Sequence, residues 1–275
     1  MNNASKVLDF SVCVNGKPTK QVQHNGDTFI EGRWGTDYSL RIKYPSNSFN
    51  HGKRLLVIPS VDGLSVIDGK PAGKSSGGFV ISRGEEMDIE GWLVNQSTMA
   101  KFSFCPKDRH DASRRYGSTK YQDSYVKSLA DQGIDVDVSN TGIIGFMIIE
   151  EYIDTIPVFT QSDIVFTDST FGNTSSAVTS STVPLSQTTA STTNTRRLTS
   201  SQIGSGTGFG ESVNVNTKTL DFNRGDVVGT HVIYYDTLKG LKRRGVPIEG
   251  FNTVHMPSAF PADDNNYCKP PKGWG

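Results

Sequence analysis

RLLVIPSVDGLSVIDGKPAGKSSGGFVISRGEEMDIEGWLVNQSTMAKFSF, residues Arg54–Phe104, is the stretch whose reading decides the fold. Apolar, β-branched-rich runs at Leu55–Ile58, Leu64–Ile67, Phe79–Ile81 and Met99–Phe104 alternate with turns carrying Gly, Asp, Asn or Ser. A further run, Met87–Leu93, contains Gly91-Trp92. Turn signals every eight to twelve residues or so predict antiparallel β structure of the sandwich or jelly-roll-like kind. Asp62-Gly63 and Asp68-Gly69 predict tight hairpins, because both central residues of such turns take positive φ.

The pattern continues outward from this stretch. Residues 7–14 (VLDFSVCV) read as a strand, Asn15-Gly16 as a hairpin turn, and 19–24 as the return strand. Asp37–Lys43 places Tyr38, Leu40 and Ile42 on one face, which predicts a half-buried strand. On the other side, 142–153 (GIIGFMIIEEYI) is the most apolar run and predicts a central strand. Val126–Gln132 predicts a short helix stopped by Gly133. Thr237–Arg244 predicts another, capped by Asp236 and stopped by Gly245, with its basic end suiting the helix dipole.

These segments divide the chain into four expected parts: a β-sandwich over 1–158, a Ser/Thr-rich linker or arm over 159–203, a small β(α) module over 204–250, and an extended Pro/Gly-rich tail over 251–275. The Ser/Thr part has almost no aromatics and no surviving period. It lacks the apolar area needed to offset its ordering entropy unless it drapes over a neighbour.

Composition narrows function mostly by exclusion. The 275 residues carry equal numbers of acidic and basic side chains, so no strong basic balance points to nucleic acid. Three widely spaced cysteines, Cys13, Cys105 and Cys268, make neither a disulfide framework nor a zinc motif, and predict free thiols in a reducing compartment. No signal-peptide pattern or membrane-length apolar run is seen, so the expectation is a soluble protein without a membrane partner.

No catalytic, cofactor or metal residues are assigned. Gly204–Gly210 lacks the Lys-Ser/Thr of a phosphate loop. The histidines are scattered. Asp62 and Asp68 read as turn residues accepting local hydrogen bonds, and Glu150-Glu151 point to opposite faces of a strand. Arg114-Arg115, Arg196-Arg197 and Arg243-Arg244 read as solvated or paired with acids. Trp274, beside the chain end in Pro-Pro-Lys-Gly-Trp, reads as an anchor for a groove in the same or another subunit. With Tyr267, Phe260 and Phe251 it forms the candidate partner-binding set.

Several motifs resemble a known group of proteins. Asn15-Gly16-Lys17, Ile30–Arg33 with Gly35 and Tyr38, SVDGLSVIDGKPA (Ser60–Ala72), Ile89–Trp92 and Ala100–Phe104 carry one half of the likeness. GTGFGE (Gly206–Glu211), IYYD (Ile233–Asp236), Arg244-Gly245-Val246 and the PPKGWG end carry the other. Together they resemble a β-rich domain of uncharacterised bacterial proteins and of proteins from tailed phages and other large DNA viruses. The resemblance implies a structural virion protein, such as a minor capsid, decoration, fibre-base or vertex protein. It would be assembled in the host cytoplasm and bind other virion proteins or itself as a homo-oligomer. It transfers no catalytic residue and no cofactor. The alternative from another class is a carbohydrate- or receptor-binding sandwich using Tyr116, Tyr121 and Tyr125, an expectation by fold analogy alone. A hydrolase assembled from distant loops is a weaker third reading.

Overall fold

The structure, a computed structural model, describes residues 7–48, 53–109, 121–153 and 204–251. The strands are β1 (Asp9–Val14), β2 (Lys17–Pro18), β3 (Val22–His24), β4 (Asp27–Glu31), β5 (Asp37–Lys43), β6 (Leu55–Val61), β7 (Leu64–Ser65), β8 (Phe79–Ile81), β9 (Glu86–Ile89), β10 (Gly91–Asn95), β11 (Thr98–Pro106), β12 (Ile143–Glu151), β13 (Ser205–Asn214) and β14 (Arg224–Asp236). Among the described residues, two short α-helices, α1 (Tyr125–Asp131) and α2 (Leu238–Arg243), and two 3-10 turns, Val138–Asn140 and Ile248–Gly250, complete the regular elements. The strands form two seven-stranded sheets. The first runs β10-β11-β5-β1-β2, with β13 on β11 and β9 on β5. The second runs β3-β4-β14-β12-β6-β7, with β8 on β6. All strand pairs are antiparallel except β14 with β4. The protein is a β-sandwich.

Alternation builds the interior. In β5 the burial follows the expected period of two, with Tyr38, Leu40 and Ile42 inward. They meet Phe10 and Val12 of β1, Phe102 and Phe104 of β11, and, from the second sheet, Val57, Phe146, Ile148 and Tyr235. The Phe10 and Phe146 rings stack at 4.4 Å and tie one sheet to the other. Truncating a ring such as Phe146 would cost about 3–5 kcal/mol.

The expected central strand is β12, flanked by β6 and β14. Strand β6 is buried on both faces, which explains its unbroken apolar run. Pro59 sits within it at little cost. Its carbonyl accepts from Val66 N–H, so its nitrogen faces the edge where β8 has ended and β7 has barely begun.

Turn chemistry is as read at Asn15-Gly16 and Asp62-Gly63, and Asn25-Gly26 takes the same form. Asn15-Gly16, Asn25-Gly26 and Asp62-Gly63 all have both residues at positive φ. Asp68-Gly69 differs. Only Gly69 has positive φ, and the strand expected over Leu64–Ile67 is cut to Leu64–Ser65 by a loop in which Gly69 N–H returns to the Ser65 carbonyl.

Two changes of partner strand were not anticipated, the first a change of sheet and the second within the first sheet. The return strand expected over 19–24 does not pair with β1: that partner is Lys17–Pro18, within the expected turn, and Val22–His24 joins β4 in the other sheet. The run Met87–Leu93 is split at Glu90, with β9 pairing β5 and β10 pairing β11. Gly91 permits the second change, because a Cβ there would lie 1.9 Å from the Ala100 carbonyl oxygen.

Residues 204–250, set apart as a module in the sequence, supply strands to both sheets. Strand β13 pairs with β11, and β14 lies inside the second sheet between β12 and β4. The expected Ser/Thr arm lies outside the described residues, as does the tail beyond Phe251.

Candidate functional site

Three features on the second sheet concentrate chemistry: two buried carboxylates and an outer groove. The first centres on Asp62, at the tip of the β6–β7 hairpin. Its side chain is drawn inward and the residue is 1% exposed. One carboxylate oxygen accepts from Gly142 N–H at 2.7 Å and from the Tyr235 hydroxyl at 2.6 Å. The other accepts from Thr207 N–H at 2.8 Å. The Thr207 hydroxyl lies 2.7 Å from the Tyr235 oxygen and 2.8 Å from that of Tyr38. One side chain thereby ties the β6–β7 turn to the entrance of β12, to β13 and β14, and through Thr207 to β5.

Burial pushes the Asp62 carboxyl up to about 6, against the pull of hydrogen bonds from Tyr235 and from the N–H groups of Thr207, Gly142 and Ile143. Burial also raises the Tyr38 and Tyr235 phenols well above their ordinary range. A carboxyl titrating near 6 has the affinity of a general acid or base. Its surroundings, however, commit it elsewhere. A cleft of about 230 Å³ lined by Asp62, Gly63, Leu64, Pro71, Asp135, Asp137 and Asn140 lies alongside. Both oxygens of Asp62 are already engaged by fixed donors from within the fold, so the arrangement is that of a brace.

The second carboxylate is Asp236, at the end of β14. It was expected to cap α2, but Thr237 does so, its hydroxyl accepting from Gly240 N–H. Asp236 instead accepts from Thr237 N–H at 2.7 Å and pairs with Arg244 at 3.2 Å. The two side chains are 0% and 3% exposed. Burial raises the Asp236 carboxyl and lowers the Arg244 guanidinium, and each is partly corrected by the charge of the other. Gly240 makes the approach possible, since a Cβ there would fall 2.2 Å from the carboxylate. Of the Arg243-Arg244 pair, Arg244 is therefore a buried ion-pair partner. Its Nε and Nη1 find no hydrogen-bond partner among the described residues.

The third feature is a groove of about 240 Å³ on the outer face of the second sheet. Strands β6, β12 and β14 floor it with Ile58, Ser60, Gly145, Met147, Thr230 and Val232, and Ala72 and Gly73 form one rim. Gly145 lowers the floor to the backbone, in a strand whose next outward residue is Met147.

The other sequence candidates fall as follows. Phe251 packs with Phe29, Leu241 and Val246, while Phe260, Tyr267 and Trp274 lie outside the described residues. Tyr116 also lies outside them. Tyr121 sits edge-on to Trp34 at 5.7 Å, and Tyr125 packs on Trp92 at 4.9 Å and Phe209 at 4.4 Å. The Gly204–Gly210 series is strand β13. Its Gly206 leaves room for Ser124 and Thr141, and Gly208 for Gln122. Glu150 pairs with Lys53 at 3.3 Å, and Glu151 accepts from Arg54 Nε at 2.8 Å. His231 is in ring contact with Phe10 at 5.1 Å and with Phe146 at 6.3 Å, and burial lowers its pKa. Among the described residues no group of His, Cys, Asp or Glu could hold a metal ion, and no helix is long and apolar enough to cross a membrane.

The sequence reading placed Asp62 at its turn but missed its longer-range role. A local Asp-Gly signal accounts for the turn and is silent about partners at Gly142, Thr207 and Tyr235. The groove had one legible sign, a glycine inside the most apolar run of the chain. No family model matches the chain, and no curated protein or solved structure matches it.

Proposed function

We propose that this protein is a structural component of a virion, a minor capsid, decoration, fibre-base or vertex subunit that binds neighbouring subunits through its segments beyond the sandwich. The observation that carries the reading is how the buried polar groups are used. Asp62, Thr207, Tyr235 and Tyr38 bond to one another, and Asp236 bonds to Arg244, so the most enzyme-like chemistry of the described interior is occupied in holding strands together. A rigid sandwich so braced suits a subunit that presents extended chain to its neighbours. The motif resemblance at Ser60–Ala72 and Gly206–Glu211 supports the same reading. For the alternative, a glycan- or receptor-binding module, Tyr121 and Tyr125 direct ring faces or edges to Trp34, Trp92 and Phe209.

The test compares particles formed in the presence of the full chain with particles formed in the presence of a chain ending at Phe251. The shortened chain is expected to stay out of purified particles while keeping the far-ultraviolet spectrum of a β protein. Its normal incorporation would overturn the assignment of partner binding to the tail.

A further inference from the structure

Side-chain oxygens of four buried residues stand in file through the interior, from one sheet to the other. A carboxylate oxygen of Asp62 lies 2.6 Å from the Tyr235 hydroxyl. The Tyr235 hydroxyl lies 2.7 Å from that of Thr207, and the Thr207 hydroxyl 2.8 Å from that of Tyr38. Asp62 and Tyr235 belong to the second sheet and the turn after β6, Thr207 and Tyr38 to the first sheet. Among the described residues the Tyr38 hydroxyl bonds to Thr207 alone, so the file ends there.

Counting hydrogens shows how the file responds to charge. It has three links and three hydroxyl hydrogens. With Asp62 ionised, each link holds one hydrogen and every hydroxyl donates toward the carboxylate: Tyr38 to Thr207, Thr207 to Tyr235, Tyr235 to Asp62. With Asp62 protonated, four hydrogens share the same links. On the carboxylate oxygen that accepts from Thr207 N–H at 2.8 Å the added proton meets a donor. On the oxygen facing Tyr235 it finds an acceptor once the Tyr235 hydroxyl turns to Thr207, and Thr207 in turn to Tyr38. The surplus hydrogen then sits at Tyr38. Each hydroxyl turns about a single bond, so the heavy atoms stay in place.

Burial favours the neutral carboxyl and the aligned donors favour the ion, and the balance at about 6 brings both states into reach near neutral pH. The other titratable groups around Asp62 are the Tyr38 and Tyr235 phenols and the Cys105 thiol, all raised by burial, and Lys107, lowered by burial and supported by the Asp62 charge. Asp135 and Asp137 line the adjoining cleft. Of all these, only the two phenols stand in the file. We propose that Asp62, Tyr235, Thr207 and Tyr38 form a proton-operated switch. Its hydroxyls point to Asp62 when that side chain is charged and away from it when it is neutral, so the state of the β6–β7 turn is read at Tyr38 in the facing sheet. Tyr38 stacks on Phe104 at 4.1 Å and on Phe102 at 5.2 Å, where β5 meets β11, so the reading end lies in the packed centre of the first sheet. The switch does not depend on the virion reading.

The experiment labels the full chain with carbon-13 at the tyrosine ζ and aspartate γ carbons and follows both by NMR across the titration of Asp62. Tyr38→Phe and Asp62→Asn assign the two signals. A phenol that turns from donor to acceptor shifts its ζ carbon, so the Tyr38 resonance is expected to move with the same midpoint as the Asp62 carboxyl. Thr207→Val, which cuts the file, should abolish the Tyr38 shift while Asp62 goes on titrating. Thr207→Ser, which keeps a hydroxyl in place, should preserve it and serves as the deciding variant if the valine protein does not fold. A Tyr38 resonance that stays fixed while Asp62 titrates, one that follows Asp62 undiminished in Thr207→Val, one that no longer follows it in Thr207→Ser, or an Asp62 carboxyl that keeps one protonation state throughout would each overturn the proposal.

Discussion

Asp62 and Asp236 lie on the same sheet, 1% and 0% exposed, and are kept there by opposite means. Asp236 faces a cation, the guanidinium of Arg244, at 3.2 Å. Asp62 faces neutral donors, among them two backbone N–H groups and a phenol within 2.8 Å. Both arrangements join segments far apart in sequence. The ion pair fixes the end of α2 to the end of β14, and Gly204 N–H, donating to Asp236 at 3.4 Å, adds the start of β13, while the neutral set fixes β13 and β14 to the turn after β6. A cation compensates charge directly but is itself costly to bury. Neutral donors are cheap to bury but leave the carboxyl near the point at which it takes up a proton.

The largest expected effect falls on the ion pair. Arg244→Met should cost about 3–5 kcal/mol in urea unfolding, because it leaves a buried carboxylate without its cation. Adding Asp236→Asn should recover much of that loss, since the penalty belongs to the unpaired charge. A double variant no more stable than Arg244→Met would mean that the pair is not what holds α2. A smaller effect is expected at the neutral site. Thr207→Val keeps the N–H that serves Asp62 but removes the hydroxyl between Tyr38 and Tyr235, at a cost of about 1–3 kcal/mol with an unchanged denaturant slope. A cost below about 0.5 kcal/mol would show that the two phenols do not need that bridge.

Much of the fold was legible in local patterns. Period-two burial in β5, the doubly buried β6, the apolar β12 and the Asn-Gly and Asp-Gly turns all depend on neighbours a few residues away, and the sequence displays them. So does Gly133 at the end of α1. The crossing to the facing sheet after Pro18 and the change of partner strand at Glu90 were not legible, because nothing local distinguishes continuing along one neighbour from moving to another. The role of Asp62 was hidden for a related reason. Its turn chemistry is complete without Thr207 and Tyr235, which come 145 and 173 residues later. The same holds for Asp236: as a residue before a helix it looks like a cap, and only the packing of Gly240 against it reveals the ion pair.

The central claim is that Asp62 braces the sandwich, and its titration offers the most direct test. Its folded-state value of about 6 lies above the ordinary 3.8. The folded protein therefore holds this proton more tightly than the unfolded chain, and the resulting stabilisation is full below about pH 3.8 and lost as pH rises through about 6. The difference corresponds to about 3 kcal/mol. Unfolding free energies of the native protein and of Asp62→Asn, measured between pH 4 and 7, should diverge by an amount of that order, with the native protein losing stability relative to the variant as pH rises. Parallel profiles across that window would contradict the account, since the carboxyl would then titrate alike in the folded and unfolded chains and could not be the buried, neutrally held group described here.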